Sequence, residues 1–215
     1  MPTLNPLLYC FILYAGFFCA GMQLQGRAPA VRMPKATLGL LAIVGIPSLL
    51  QFVFPVLLIV LERNWPLILH GQVWRIVTAL TVQDGGVFGT VFNLTGLLLI
   101  GFAAERLWGS ARMATIFVAG GVITEVLAYF WQPVGGGNSI ANFALSAATA
   151  VLGLMTVKNS VVRAVAVAIL AAGVILLIQK DIHGVAVVVG TILGLGFHHL
   201  SPFKGRGRPA GPGEG

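Results

Sequence analysis

Gly135-Gly136-Gly137-Asn138-Ser139-Ile140-Ala141-Asn142-Phe143 heads an apolar run that continues to Val157. Three glycines break any helix before it, so the serine stands at the start of the segment that follows. A second polar residue holds the same kind of place 44 positions on, where Asp181-Ile182-His183-Gly184 opens the last apolar stretch. Polar groups within hydrocarbon are expensive and tend to mark function. A serine and a histidine are also the smallest set that yields an activated hydroxyl nucleophile. Whether the two can meet depends on how the chain crosses the membrane.

That it crosses one follows from composition. Hydrophobic residues make up 57% of the 215 and charged residues 9%, against about a quarter charged in soluble domains. A spanning helix needs roughly 20 apolar residues, and seven stretches qualify: 4–22, 37–61, 87–104, 113–131, 138–157, 160–179 and 182–200. Short connections leave no room for a separate soluble domain. The expected class is an all-α polytopic membrane protein.

The net charge of +7 would suit a nucleic-acid ligand, but its distribution points to a lipid bilayer as partner. Arg27, Arg32, Lys35, Arg106, Arg112, Lys158, Arg163, Lys204, Arg206 and Arg208 follow the odd-numbered spans, and only Arg63, Arg75 and Lys180 fall in the other connections. The positive-inside rule makes the first side cytoplasmic. The N-terminus then faces outside and the C-terminus the cytoplasm.

The first span lacks the basic n-region of a signal peptide, because no Lys or Arg precedes Arg27. Cys10 and Cys19 stand nine positions apart on it, about 13.5 Å at helical rise, too far for a disulfide. Both read as small core residues. Residues 62–86, with Trp65, Trp74, Leu67, Ile68 and Leu69, are too apolar for a solvated loop and read as an interfacial or partly re-entrant segment. Residues 201–215, rich in Gly, Pro and basic residues, read as a disordered cytoplasmic tail. Gly190-Thr191-Ile192-Leu193-Gly194 puts two small residues on one face of the last span.

The orientation also sets depth. Asn93 lies six residues into an inward-running span, and Glu125 six residues short of the outer end of the next. Ser139 follows the exterior glycines and His183 follows the exterior Lys180. Four polar residues from four spans thus share the outer half of the bilayer, although common depth does not make them lateral neighbours. Each has a plainer reading. Ser139 can bond its own backbone, His183 can be wetted at the interface, Asn93 can join helices, and Glu125 can be kept neutral by burial.

Taken together, the chain resembles the rhomboid family of intramembrane serine proteases over 37–200. Gly137-Asn138-Ser139 resembles the family's Gly-x-Ser motif, and Phe143 takes the place of the aromatic residue near the histidine. His183 with Ala186, Gly190 and Gly194 is similar to the histidine-led, small-residue helix that packs on the serine helix. Trp74-Arg75 resembles the Trp-Arg pair of the first exterior loop, and Phe92-Asn93 the Phe-Asn of the second core helix. Glu105-Arg106 with Gly109-Ser110 resembles the cytoplasmic turn after it. The resemblance implies an extra N-terminal transmembrane helix and basic loop (1–36), a six-helix core (37–200) and the tail (201–215). It also implies an integral multi-pass protein of a bacterial cytoplasmic membrane. Three positions depart. Gly89 stands where many active members carry a histidine, and Ile140 and Ile182 replace small residues beside the serine and histidine. The first removes an oxyanion donor, and the others add bulk at a close helix contact.

What the resemblance implies chemically is peptide-bond cleavage in transmembrane protein substrates near the outer face, with no metal or organic cofactor. Ser139 is the nucleophile and His183 the base and then the acid. Asn93 and the Ser139 backbone N–H receive the oxyanion. A dyad is expected, because residues two apart, such as Asp181 and His183, do not face each other on a helix. Residues 135–137 would give the serine helix a flexible lead-in. His198 and His199 read as interfacial. One alternative keeps the fold without the chemistry, a pseudoprotease that binds transmembrane segments. Another is a small transporter with Glu125 and His183 in a proton relay.

Overall fold

Backbone groups in lipid must be satisfied within the segment, which leaves helices as the spanning elements of such a sequence. The computed structural model describes residues 4–25 and 29–200, so Arg27 and the tail at 201–215 lie outside the described residues. The helices are α1 (Leu4–Leu24), α2 (Lys35–Leu50), α3 (Val56–Leu61), α4 (Trp65–Leu69), α5 (Arg75–Thr78), α6 (Gly86–Trp108), α7 (Ser110–Leu127), α8 (Ser139–Thr156), α9 (Ser160–Ile178) and α10 (Ile182–Leu200). Among the described residues, six helices are long and apolar enough to cross a membrane: α1, α6, α7, α8, α9 and α10.

The stretch 37–61, expected as one span, is not one helix. α2 stops at Leu50, the chain turns through residues 51–55, and α3 starts after Pro55. Proline has no N–H to continue a ladder and pushes the residue before it out of the helical region. Sixteen residues reach about 24 Å, short of the roughly 30 Å hydrocarbon core. From 51 to 85 the chain is a folded connection carrying α3, α4 and α5. Within it, strand β1 (Arg63–Asn64) pairs antiparallel with β2 (Val134–Gly135) from the loop before α8.

α8 is the centre. Of its spanning window 78% is buried, against 33–44% for the other five, and a helix apolar and buried on all sides belongs inside a bundle. Around it run α10, α7, α6, α1 and α9, each in contact with α8 and with its neighbours in that ring. The first helix, expected as an addition to a six-span core, thus closes the ring between α6 and α9. α2 lies outside, against α6 and α7. Large side chains such as Phe88, Val53 and Ile178 cover the outer surface, as a lipid solvent allows.

Lipid tails are as apolar as the helices, so close packing of small residues supplies much of the cohesion. A Cβ on Gly190 would stand 2.1 Å from the Ala144 carbonyl oxygen, and one on Gly194 2.8 Å from Ala148 Cα. α8 and α10 therefore meet backbone to backbone. Polar side chains secure helix ends. Asn159 Oδ1 accepts from the N–H groups of Val161 and Val162 at the start of α9. Buried Glu105 accepts from the N–H groups of Ala36 and Thr37, the Thr37 hydroxyl and the Ser110 hydroxyl. One carboxylate so joins the start of α2 to the α6–α7 turn. Cys10 and Cys19 are both free thiols.

Candidate active site

Ser139 is the first residue of α8, and its lead-in bonds to the connection before α6. Gly136 N–H donates to Asp84 Oδ2 at 3.0 Å, Asp84 N–H to the Gly136 carbonyl at 3.1 Å, and Gly137 N–H to the Ala79 carbonyl at 2.9 Å. Gly135 and Gly137 have φ of +152° and +155°, a region L side chains rarely adopt. The stretch 135–137, expected as a flexible lead-in, is hydrogen-bonded to the connection before α6.

His183 is the second residue of α10. Its Nε2 lies 2.9 Å from Ser139 Oγ, and its Nδ1 lies 2.7 Å from Asp181 Oδ1. The expectation that Asp181 and His183 do not face each other fails for a local reason. Asp181 precedes the helix and acts as its N-cap, its Oδ1 accepting the His183 backbone N–H at 2.9 Å. The same oxygen can then reach the imidazole. Asp181 Oδ2 accepts from Asn5 Nδ2 at 2.9 Å and from the Tyr9 hydroxyl, both on α1. Burial alone would raise the Asp181 carboxyl, but the hydrogen bonds and charge of His183 and the Tyr9 hydroxyl outweigh it and hold it at about 2.

Two rings fix the imidazole plane. Phe143, one turn along α8, has its centroid 4.7 Å from that of His183, and Tyr9 stands 4.3 Å away on another side. Phe143 and Tyr9 also meet edge to face at 5.6 Å. Ile140 and Ile182 are buried in the apolar cluster that holds Phe143, Val185 and Ala186. The Ser139–His183 contact is made with both in place.

Asn93 comes from α6 to the neighbourhood of Gly137, which also adjoins Ser139. Its Nδ2 donates to Gln83 Oε1 at 2.7 Å, and its backbone carbonyl accepts from Asn142 Nδ2 at 2.9 Å and Asn138 Nδ2 at 3.3 Å. Gln83 Nε2 donates to Asn138 Oδ1 at 2.8 Å and Ser48 Oγ at 3.1 Å. Gln51 brackets the Gln83 backbone through its own amide. At Gly137 a Cβ would lie 3.3 Å from Gln83 Oε1, 3.4 Å from Asn93 Nδ2 and 3.6 Å from Ser139 Oγ. Glycine there leaves an atom-sized space between the hydroxyl and the amide. A Cβ on Gly89 would meet nothing within 4 Å.

The remaining expected residues serve the frame. Arg75 Nη1 donates to the carbonyls of Ile59 and Glu62, both at 2.8 Å, and its Nε to Gln72 Oε1 at 2.7 Å. Arg75 thereby folds the 51–85 connection, while its neighbour Trp74 is exposed. Glu125 pairs with buried Arg63, whose Nε also donates to the Gln132 carbonyl at 2.9 Å. Glu125 thus faces the 51–85 connection, and the described hydrogen-bond partners of the His183 ring are Asp181 and Ser139. Gly190 sets the α8–α10 spacing.

Sequence reading missed four residues: Asp181 as a partner of His183, Asn5 and Tyr9 behind it, and Gln83 beside Asn93. An aspartate directly before an apolar run is an N-cap signal and could have exposed the first. The other three come from helices or loops with nothing local to mark the side that faces the site.

A family model described as Rhomboid domain matches residues 70–200 of the chain. Among individual proteins, the chain is similar to the protein named rhomboid protease GluP of Bacillus subtilis (strain 168), at 31% identity over 67 residues. That match covers 31% of this chain and 13% of the relative.

Proposed function

The chain belongs to the rhomboid family, and on that footing we propose that it is an intramembrane serine endopeptidase acting on transmembrane segments of other proteins. The observation that carries the reading is the 2.9 Å approach of Ser139 Oγ to His183 Nε2, within hydrogen-bond reach for proton transfer. Ser139 Oγ attacks the scissile carbonyl carbon while its proton passes to His183 Nε2. The protonated imidazole then donates to the leaving amine nitrogen as the C–N bond breaks, leaving an acyl ester on Ser139. Water, deprotonated by the now neutral His183, attacks that ester, and the imidazolium returns its proton to Ser139 Oγ as the acyl C–O bond breaks. The developing oxyanion falls in the space beside Gly137, where the second Asn93 Nδ2 proton and the Ser139 N–H are the donors. The end of the bundle holding Ser139, Asn93 and His183 faces the exterior, by the charge asymmetry of the connections.

A second reading, a pseudoprotease that binds transmembrane segments, draws on one observation: Gly89 carries no side chain, and the place its Cβ would take is open. The Arg63–Glu125 pair weighs against a Glu125–His183 proton relay. The deciding experiment is cleavage of a reporter membrane protein in liposomes by wild type and by Ser139→Ala, with fluorophosphonate labelling in parallel. Cleavage and labelling lost only in the variant are expected. Equal cleavage by both removes the protease reading, and binding without cleavage by wild type favours the pseudoprotease.

A further inference from the structure

We propose that Asp181 is a positioning residue for His183, held in place by Asn5 and Tyr9, so that α1 is a working part of the catalytic centre. The inference rests on the protease reading and replaces its dyad with a Ser139–His183–Asp181 chain. Neutral imidazole carries one ring proton. For Nε2 to accept the Ser139 proton, the ring proton must sit on Nδ1, and Asp181 Oδ1 lies 2.7 Å from that atom. An ionised carboxylate can only accept, so it selects this tautomer and favours the imidazolium that forms when Ser139 loses its proton.

The carboxylate is itself fully engaged. Oδ1 takes the His183 backbone N–H, and Oδ2 takes the Asn5 amide and the Tyr9 hydroxyl. All four partners, the imidazole included, are donors, as an ionised acceptor requires. Among the described residues, the polar groups against the His183 ring are Asp181 before α10, Tyr9 on α1 and Ser139 on α8. Tyr9 does two things at once, pointing its hydroxyl at Asp181 and laying its ring on the imidazole 4.3 Å away. The competing explanation is that Asp181 merely caps α10. Asn and Ser are also good caps, and that separates the two roles.

The test compares full-chain wild type, Asp181→Asn, Asp181→Ser, Tyr9→Phe and Ser139→Ala in liposomes, reading kcat and KM on a reporter and thermal unfolding for each. Asp181→Asn keeps the cap and, because one oxygen serves both, a neutral acceptor for Nδ1–H; what it removes is the charge that favours the imidazolium. Its kcat is expected to fall, by no more than the about 10³–10⁴-fold seen when the aspartate of a serine-protease triad is amidated, with KM unchanged. Asp181→Ser keeps the cap without reaching the ring and should also lose kcat. Tyr9→Phe should lose kcat by a smaller factor. In parallel, the downfield Nδ1–H proton resonance of His183, read without turnover, should be present in wild type, move upfield in Asp181→Asn and be lost in Asp181→Ser. Unchanged kcat in both Asp181 variants, with Ser139→Ala inactive, overturns the positioning role and leaves the protease reading standing. Absence of the Nδ1–H resonance from wild type overturns it independently of activity. Persistent cleavage by Ser139→Ala overturns both.

Discussion

Gly190 packs against Ala144 so tightly that a methyl group on it would stand 2.1 Å from the Ala144 carbonyl oxygen. Seven residues before Gly190 on the same helix is His183, and five before Ala144 is Ser139. The spacing of two backbones thus sets whether the imidazole reaches the hydroxyl. Gly190→Ala should separate α8 and α10 by on the order of 1 Å, since carbon atoms pack at about 3.5–4.0 Å. Overpacking of this kind costs about 1–3 kcal/mol, so unfolding temperature and fluorophosphonate labelling should both fall. Gly21→Ala, on α1 with nothing within 4 Å, is the matched control and should change neither.

Asn93→Ala removes the side-chain donor beside Gly137. A single oxyanion donor is worth about 10²–10³ in kcat, and that loss is expected with little change in KM. Gln83→Leu, which frees Asn93 Nδ2 from its anchor, should lower kcat by less. Steady-state cleavage of one reporter by both variants measures the difference.

Gly89→His adds a side chain where a Cβ meets no neighbour within 4 Å. The variant should therefore unfold at the wild-type temperature. If the imidazole supplies a second donor to the oxyanion, kcat should rise, by roughly 10-fold or more on the scale of one such donor. A folded variant of unchanged kcat would show that this position does not reach the site.

Acid should weaken the fold through Asp181. Its carboxyl is held at about 2, below the ordinary value of 3.8. A depressed carboxylate contributes stability above its unfolded pKa, and the contribution is lost as pH falls through the folded one. Thermal unfolding of wild type should drop between about pH 4 and pH 2. Asp181→Asn should show a smaller drop over that window.

Glu125→Ala leaves Arg63 charged and buried without its partner. Losing one member of a buried pair costs about 3–5 kcal/mol, which thermal unfolding should show. Arg63→Met together with Glu125→Leu should recover most of it. Ion flux through liposomes should not depend on Glu125.

Hydropathy, charge asymmetry and helix-breaking residues are sums over neighbours along the chain. They could be read before any contact was known, and they located six of the long helices, α6 to α10 and α1. The same sums joined α2 and α3 into one span, because mean apolarity carries no record of the break before Pro55. The motif around Ser139 and the histidine opening the last span were also local patterns. Depth along the membrane normal followed from them, because helical rise converts residue number into height.

Lateral position has no such local measure. α1 shows no distinct polar face, so its sequence did not reveal that Asn5 and Tyr9 face Asp181 and that Gly16 lies against Ser146. Helix periodicity misled at Asp181, since the rule that residues two apart diverge holds inside a helix and Asp181 stands just before one. Gln83 comes to Asn93 only when the 51–85 connection folds back onto the loop before α8. The types of side chain at the site were legible in the order of residues. Which of them touch was decided by the ring of five helices around α8, because only packing brings groups distant in the chain within the 3 Å that a hydrogen bond requires.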